Sequence, residues 1–129
     1  MPFLARLRDA VAQAPPGDDV TAVLVAARID DLDEAIVRWQ ALDRTAAEAR
    51  LYPLAQFMVD VYAAALLLEQ AGWEHEHAGT DRKALIARLY ARAHLADQGP
   101  FRGIDGPAEE LERFKDLCDG AFVNDLTVS

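Results

Sequence analysis

"PLAQFMVDVYAAALLLEQA", residues 53–71, is the stretch on which the fold turns. From Phe57 to Leu68 the side chains are apolar on nearly every helical face, with Asp60 the only carboxylate among them. No strand-length alternation runs through it. Apolar side chains on all faces of a helix predict burial by several neighbours. Pro53 lies near the start, where a helix tolerates it only in its first turns or at a kink. The longest uninterrupted apolar run is Val61 to Leu68, far short of what a membrane-spanning helix needs.

Working upstream, "DRTAAEAR" (43–50) opens this helix, with Thr45 and Glu48 at capping-box spacing. Before it, Ile29, Leu32, Ile36 and Trp39 repeat at three- and four-residue steps, the stripe of another helix. That helix starts with Asp18 or Asp19 as cap and runs to about Leu42. The crowded aspartates of "RIDDLDE" (28–34) predict a joint inside it. "APPGDD" (14–19) closes a short amphipathic segment in which Phe3, Leu4, Leu7 and Val11 share a face.

Downstream, "GWEHEHAG" (72–79) breaks the apolar helix and reads as a hydrated interhelical loop. Thr80 or Asp81 restarts a helix to about Ala96, with Leu85, Leu89 and Ala93 on one side. "DQGPFRGIDGP" (97–107) is a loop. "PAEELERFKDLCDGAF" (107–122) begins with proline at the first helical position and turns Leu111, Phe114, Leu117 and Cys118 inward. The expected fold is all-α: an antiparallel bundle of four main helices plus a short N-terminal helix. Residues 1–17 form that helix and a linker, and residues 18–129 the bundle.

The totals fit this reading. A chain of 129 residues with 52% hydrophobic content fills one domain core. Its net charge of −9 and its pI of about 4.6 argue against nucleic acid and against an anionic membrane surface. The single cysteine, Cys118, excludes an intramolecular disulfide and any two-cysteine zinc site. Arg6, Arg8 and Asp9 interrupt the N-terminal apolar residues, so no signal-peptide core forms there. A cytoplasmic location is expected.

Four groups are candidates for chemistry. His75 and His77 converge on a metal only if their segment is extended, helped by Glu74, Glu76 or Asp81, because on a helix a two-residue step points them to nearly opposite faces. Flanking Gly72 and Gly79 predict mobility instead. Arg88 and His94, six residues apart in "RLYARAH", resemble the arginine–histidine motif of HEPN ribonucleases, where histidine does acid–base work. Here Leu89 follows the arginine in place of the usual polar residue, and the chain's charge opposes an RNA substrate. Asp60 reads as a buried structural carboxylate held by Arg82, Lys83, Arg88, Arg38 or Trp39, or by a tyrosine. If the partner is a cation, Asp60→Ala costs about 3–5 kcal/mol. Cys118 reads as a small core residue.

Residues 53–71 also resemble a helix of very-long-chain-type acyl-CoA dehydrogenases that often reads Leu-Ala-Asp, three residues, Asp-Leu-Tyr-Ala, then an apolar run ending in Arg-Ala. Leu54, Ala55, Asp60, Tyr62, Ala63 and Ala71 agree with that pattern, while Gln56 replaces its first aspartate and Gln70 its arginine. In spacing and order, the polar loop, "DRKALIARLYARAHLAD" and "ELERFKDLCDGAF" also suit this family's extra C-terminal domain. The resemblance extends over about residues 20–125, with the one helix matching closely. It implies a noncatalytic α-helical domain serving packing and subunit or partner contacts in fatty-acid β-oxidation. The catalytic glutamate and the FAD-binding segments lie upstream in such enzymes, so no residue here inherits those roles. The chain then carries no cofactor of its own, and its partner is the dehydrogenase catalytic core or a second copy of itself, as a homodimer. "MPFLARLRDA" starts just past the catalytic domain on this alignment, as expected of a fragment or of a free-standing relative. A bundle whose core admits an acyl chain is a further expectation.

Overall fold

A computed structural model describes residues 1–17 and 19–97. All its elements are helices: α1 (Pro2–Ala12), α2 (Asp19–Gln40), α3 (Arg44–His77) and α4 (Arg82–His94). The fold is the all-α bundle expected. The helix expected at 107–122, with Leu111, Phe114, Leu117 and Cys118, lies outside the described residues, as does Asp18.

The helices run up, down, up and down. α1 lies along the second half of α3, where Phe3 stacks on Tyr62 and Arg6 pairs with Glu69. α2 crosses back, its Asp30 and Asp33 meeting Arg8 of α1. α4 returns down α3, and the backbone carbonyl of Leu95 at its end accepts from Arg28 Nε of α2 at 2.9 Å. The core gathers Leu4, Leu7 and Ala10 of α1, Val25, Ile29, Leu32 and Ile36 of α2, Val61, Ala64, Ala65 and Leu68 of α3, and Ala87, Ala91 and Leu95 around α4.

Several local expectations differ from the structure. α2 has no joint: Asp30, Asp31 and Asp33 sit on its outer side and are held by Arg8 and Arg28. The cap of α3 is Asp43, whose carboxylate accepts from the Ala46 N–H at 2.8 Å, while Glu48 pairs with Arg44. Thr45 is therefore already inside the first turn. α3 continues through Pro53 and also through "GWEHEH", ending only at His77, so this stretch is helix and not loop. On α4 the buried positions are Leu85, Ala87 and Ala91 with Leu95 beyond, whereas Leu89 is half-buried and Ala93 exposed.

Gly72 explains why the helix survives its glycine. It is buried, and a Cβ there would overlap the Gln13 carbonyl where the end of α1 meets α3. The residue is a packing glycine, not a breaker. Gly79 is the true stop, with φ of 67° just after α3, the left-handed conformation that glycine adopts without strain.

α3 is not buried on all sides. At 34 residues it is the longest helix, and α1 and α4 cover only its second half. α1 begins level with Tyr62 and α4 ends level with Asp60. Below that level, among the described residues, α2 and α3 continue as a hairpin on which Val37, Leu42, Leu51, Tyr52 and Val59 are exposed. By length and composition α3 could also cross a membrane, with a mean hydropathy of 1.6 over its most apolar stretch. Its Asp60 and Glu69, however, bond to side chains of α4 and α1.

The Arg6–Glu69 pair that fixes α1 is bidentate, at 2.8 and 2.9 Å. Hydrogen bonding from Arg6 and its charge hold the Glu69 carboxyl below its ordinary value, against a smaller opposing effect of desolvation. A lowered carboxyl pKa adds stability above the unfolded-state value, and that stability is lost as pH falls through the folded value. The advantage of wild type over Glu69→Gln should therefore be full above the ordinary value of 4.5 and fade below it. Urea unfolding of both proteins across that range checks this; a gap that persists at low pH would refute it.

Candidate functional site: the Asp60–Tyr90–His94 cluster

Among the described residues, a partly buried polar grouping joins α3 to the end of α4. Asp60 faces α4 with its side chain 16% exposed. Its Oδ1 accepts from Gln56 Nε2 at 3.2 Å and from the Tyr90 hydroxyl at 3.4 Å, and His94 Nδ1 stands 3.9 Å away. Tyr90 and His94 are four apart on α4, so their rings meet, with centroids 4.3 Å apart. Desolvation, then the Asp60 charge and the hydrogen bond to it, raise the Tyr90 pKa, so the phenol stays protonated at neutral pH and donates.

Asp60 is thus held by a tyrosine, one of the partners expected, together with a glutamine of its own helix. Arg38 pairs with Glu34, Lys83 donates to Gln70, and Trp39 donates to the Ala47 carbonyl. Arg82 begins α4 at the far end from His94, about 18 Å along the axis. The expected cost of Asp60→Ala falls accordingly. It strands a partly buried tyrosine hydroxyl and not a charge, a loss of about 1–3 kcal/mol. Asp60→Asn, which keeps an acceptor, should lose less. Urea unfolding of the two variants checks the order, and a loss of the full buried-ion-pair size would point to a cation after all.

What this cluster can do chemically is limited by its geometry. An aspartate beside a histidine can orient the imidazole as a proton acceptor, but 3.9 Å is beyond hydrogen-bond length. Six residues on a helix turn Arg88 and His94 about 120° apart, so they do not share a face. The cluster reads as a polar latch between α3 and α4.

The two other histidines are separated as well. His75 Nδ1 lies 3.2 Å from Asp81, across the turn between α3 and α4. His77 Nδ1 donates to the Trp73 carbonyl at 2.9 Å, and its ring stacks on the Trp73 indole at 4.6 Å. Glu74, a candidate third ligand, instead accepts the Lys83 backbone N–H at 3.0 Å, serving the first turn of α4. Among the described residues no group of three potential ligands forms. Cys118 lies outside them.

Two apolar surfaces are not legible as sites in the sequence. One is the outer stripe of α3: Tyr52, Ala55, Val59, Tyr62, Leu66 and Trp73, at steps of three, four and seven residues. Tyr52 is 77% exposed, Val59 58% and Trp73 62%. The spacing is visible, but an all-round apolar helix does not show which face stays uncovered. The other is a groove of about 520 Å³ between the end of α2 and the first half of α3, floored by Trp39, Leu42, Leu54 and Phe57 with Arg38 and Arg50 at its rim. Compared with known proteins, the chain matches no family model, no curated protein and no solved structure.

Proposed function

We propose that the chain is a noncatalytic helical-bundle module that works by packing against another protein, the flavin-dependent core of a long-chain acyl-CoA dehydrogenase. The observation that carries the packing role is the outer stripe of α3. Scattered exposed apolar residues are ordinary, but Tyr52, Val59, Tyr62 and Trp73 fall on one side of α3, the arrangement that helix-on-helix docking uses. Tyr52, Tyr62 and Trp73 in that seam are the residue types that dominate interface energetics. The choice of partner rests on the likeness of residues 53–71 to the dehydrogenase helix.

Size-exclusion chromatography with light scattering tests it. The full chain is run alone and mixed with a very-long-chain-type dehydrogenase core lacking its own helical domain. A complex should form, and Tyr52→Ser with Val59→Ser should abolish it while leaving the melting temperature within a few degrees. Failure to bind the core refutes the choice of partner. A homodimer lost in the double variant would assign the seam to a second copy, and a monomer in every mixture would remove the docking role.

A further inference from the structure

We infer that the groove between α2 and α3 binds a free, linear aliphatic carboxylic acid, its carboxylate on Arg50 and its tail running toward Phe57. On α3, Ala46, Arg50, Leu54 and Phe57 follow at steps of four, four and three residues and so line one side of the groove, while Ala35, Trp39 and Leu42 line it from α2. Its volume of about 520 Å³ falls within the range of about 300–1,000 Å³ that small-molecule sites occupy. Like them, it is mostly apolar with few polar groups. The indole N–H of Trp39 is engaged by the Ala47 carbonyl at 2.8 Å, which leaves only apolar ring surface to a ligand. Leu54 and Phe57 pack against the core and give the groove a fixed floor. The site lies on the hairpin, outside the four-helix core, and away from the docking seam: Tyr52 and Val59 point about half a turn from Arg50 and Phe57.

Charge selects the head group. Of the two arginines in the lining, Arg38 is committed to Glu34 at 2.6 Å and adds no net charge. Arg50 is exposed and has no acidic partner among the described residues, and Glu48 beside it is paired with Arg44. A guanidinium offers paired N–H donors in carboxylate geometry, and the apolar groove next to it takes an aliphatic tail out of water. The chain's net charge of −9 does not cancel this, because charges beyond a Debye length of about 8 Å are screened and both nearby acids are already paired. Length follows from the helix. Arg50 to Phe57 rises about 10 Å, and extended chain advances about 1.2 Å per bond, so the acid that fits has roughly eight to ten carbons. The tail runs this way because Leu54 and Phe57 join the core, whereas Leu42 at the other end is 41% exposed.

Trp39 reports on the site directly. In the full-length Trp73→Phe protein it is the only tryptophan, and it lines the groove. Hexanoate, octanoate, decanoate and decanol are titrated below their aggregation concentrations while its emission is followed. Octanoate should shift the emission saturably. Affinity should rise about fourfold per methylene from hexanoate and level off near decanoate. Arg50→Gln should weaken decanoate about tenfold and decanol less than about twofold, since only the acid loses a charged hydrogen bond. Retained decanol binding also shows that this variant is folded. Ala35 and Phe57 are the lining residues farthest from the turn of the hairpin, so Ala35→Leu fills the tail end and should weaken decanoate but not hexanoate. The absence of a saturable shift with any of the acids overturns the inference. So does an Arg50→Gln protein that binds decanoate as before, or that loses decanoate and decanol equally. An emission that changes with protein concentration alone would place a second copy in the groove, and would also overturn it.

Discussion

Replacing Gly72 by alanine should lower stability by about 1–3 kcal/mol, although glycine to alanine inside a helix ordinarily gains up to about 1 kcal/mol. The propensity gain is still present, because Gly72 is within α3 and well short of its end at His77. What opposes it is position. The new methyl would overlap the Gln13 carbonyl oxygen, and the obstacle is backbone, which cannot swing aside as the end of a flexible side chain can. Either α1 lifts from α3, exposing Leu7 and Ala10, or α3 distorts where the Gln13 backbone crosses it. Urea unfolding read by circular dichroism checks the sign. A more stable Gly72→Ala protein would show that α1 does not sit this close to α3, and Gly72 would revert to a tolerated helix defect.

A second large effect is expected at Leu68, and its size is best read against Leu51 on the same helix. Leu68 is 2% exposed and fills the space between α3 and its neighbours, where the other buried α3 side chains are mostly alanines. Those small residues cannot move to close a cavity, so Leu68→Ala should cost about 2–5 kcal/mol. Leu51 is 50% exposed on the projecting hairpin, and Leu51→Ala should stay within about 0.5 kcal/mol. Leu68 ends the stretch that is apolar on nearly every face, whereas Leu51 lies upstream of it beside Arg50. Equal losses would mean that the first half of α3 is covered in solution, at Leu51 as well as at Leu68.

The contrast shows where the sequence is informative. The stripe Ile29, Leu32, Ile36 reads correctly because all three point to one side of a helix with a polar opposite side, and that side is the one buried. Leu4 and Leu7 of the short N-terminal helix obey the same logic. α3 defeats it. With apolar residues all around, its sequence states that much of it is suited to burial but not which face has neighbours. The histidine stretch misleads for a related reason: Gly72 looks like punctuation because its missing side chain is ambiguous between a break and a close approach. Asp60 reads from sequence as a carboxylate needing a partner, and the partner is Tyr90, thirty residues away in the chain. The cations that the sequence offers include Arg38 and Lys83, which are engaged by Glu34 and Gln70.

By itself, then, the sequence determined the all-α class, the starts of α2 and α4 within a residue or two, and the inward faces of α1 and α2. These come from the 3.6-residue period and from proline, glycine and aspartate chemistry, which act over a few residues. The tertiary structure decided that α3 continues past Gly72, that Asp60 meets Tyr90 and His94, and that, among the described residues, the first half of α3 extends beyond α1 and α4. Each of these depends on where another helix ends. Burial is a relation between elements distant in the chain, and a local period encodes the surface a helix offers but not the length of the helices that come to cover it.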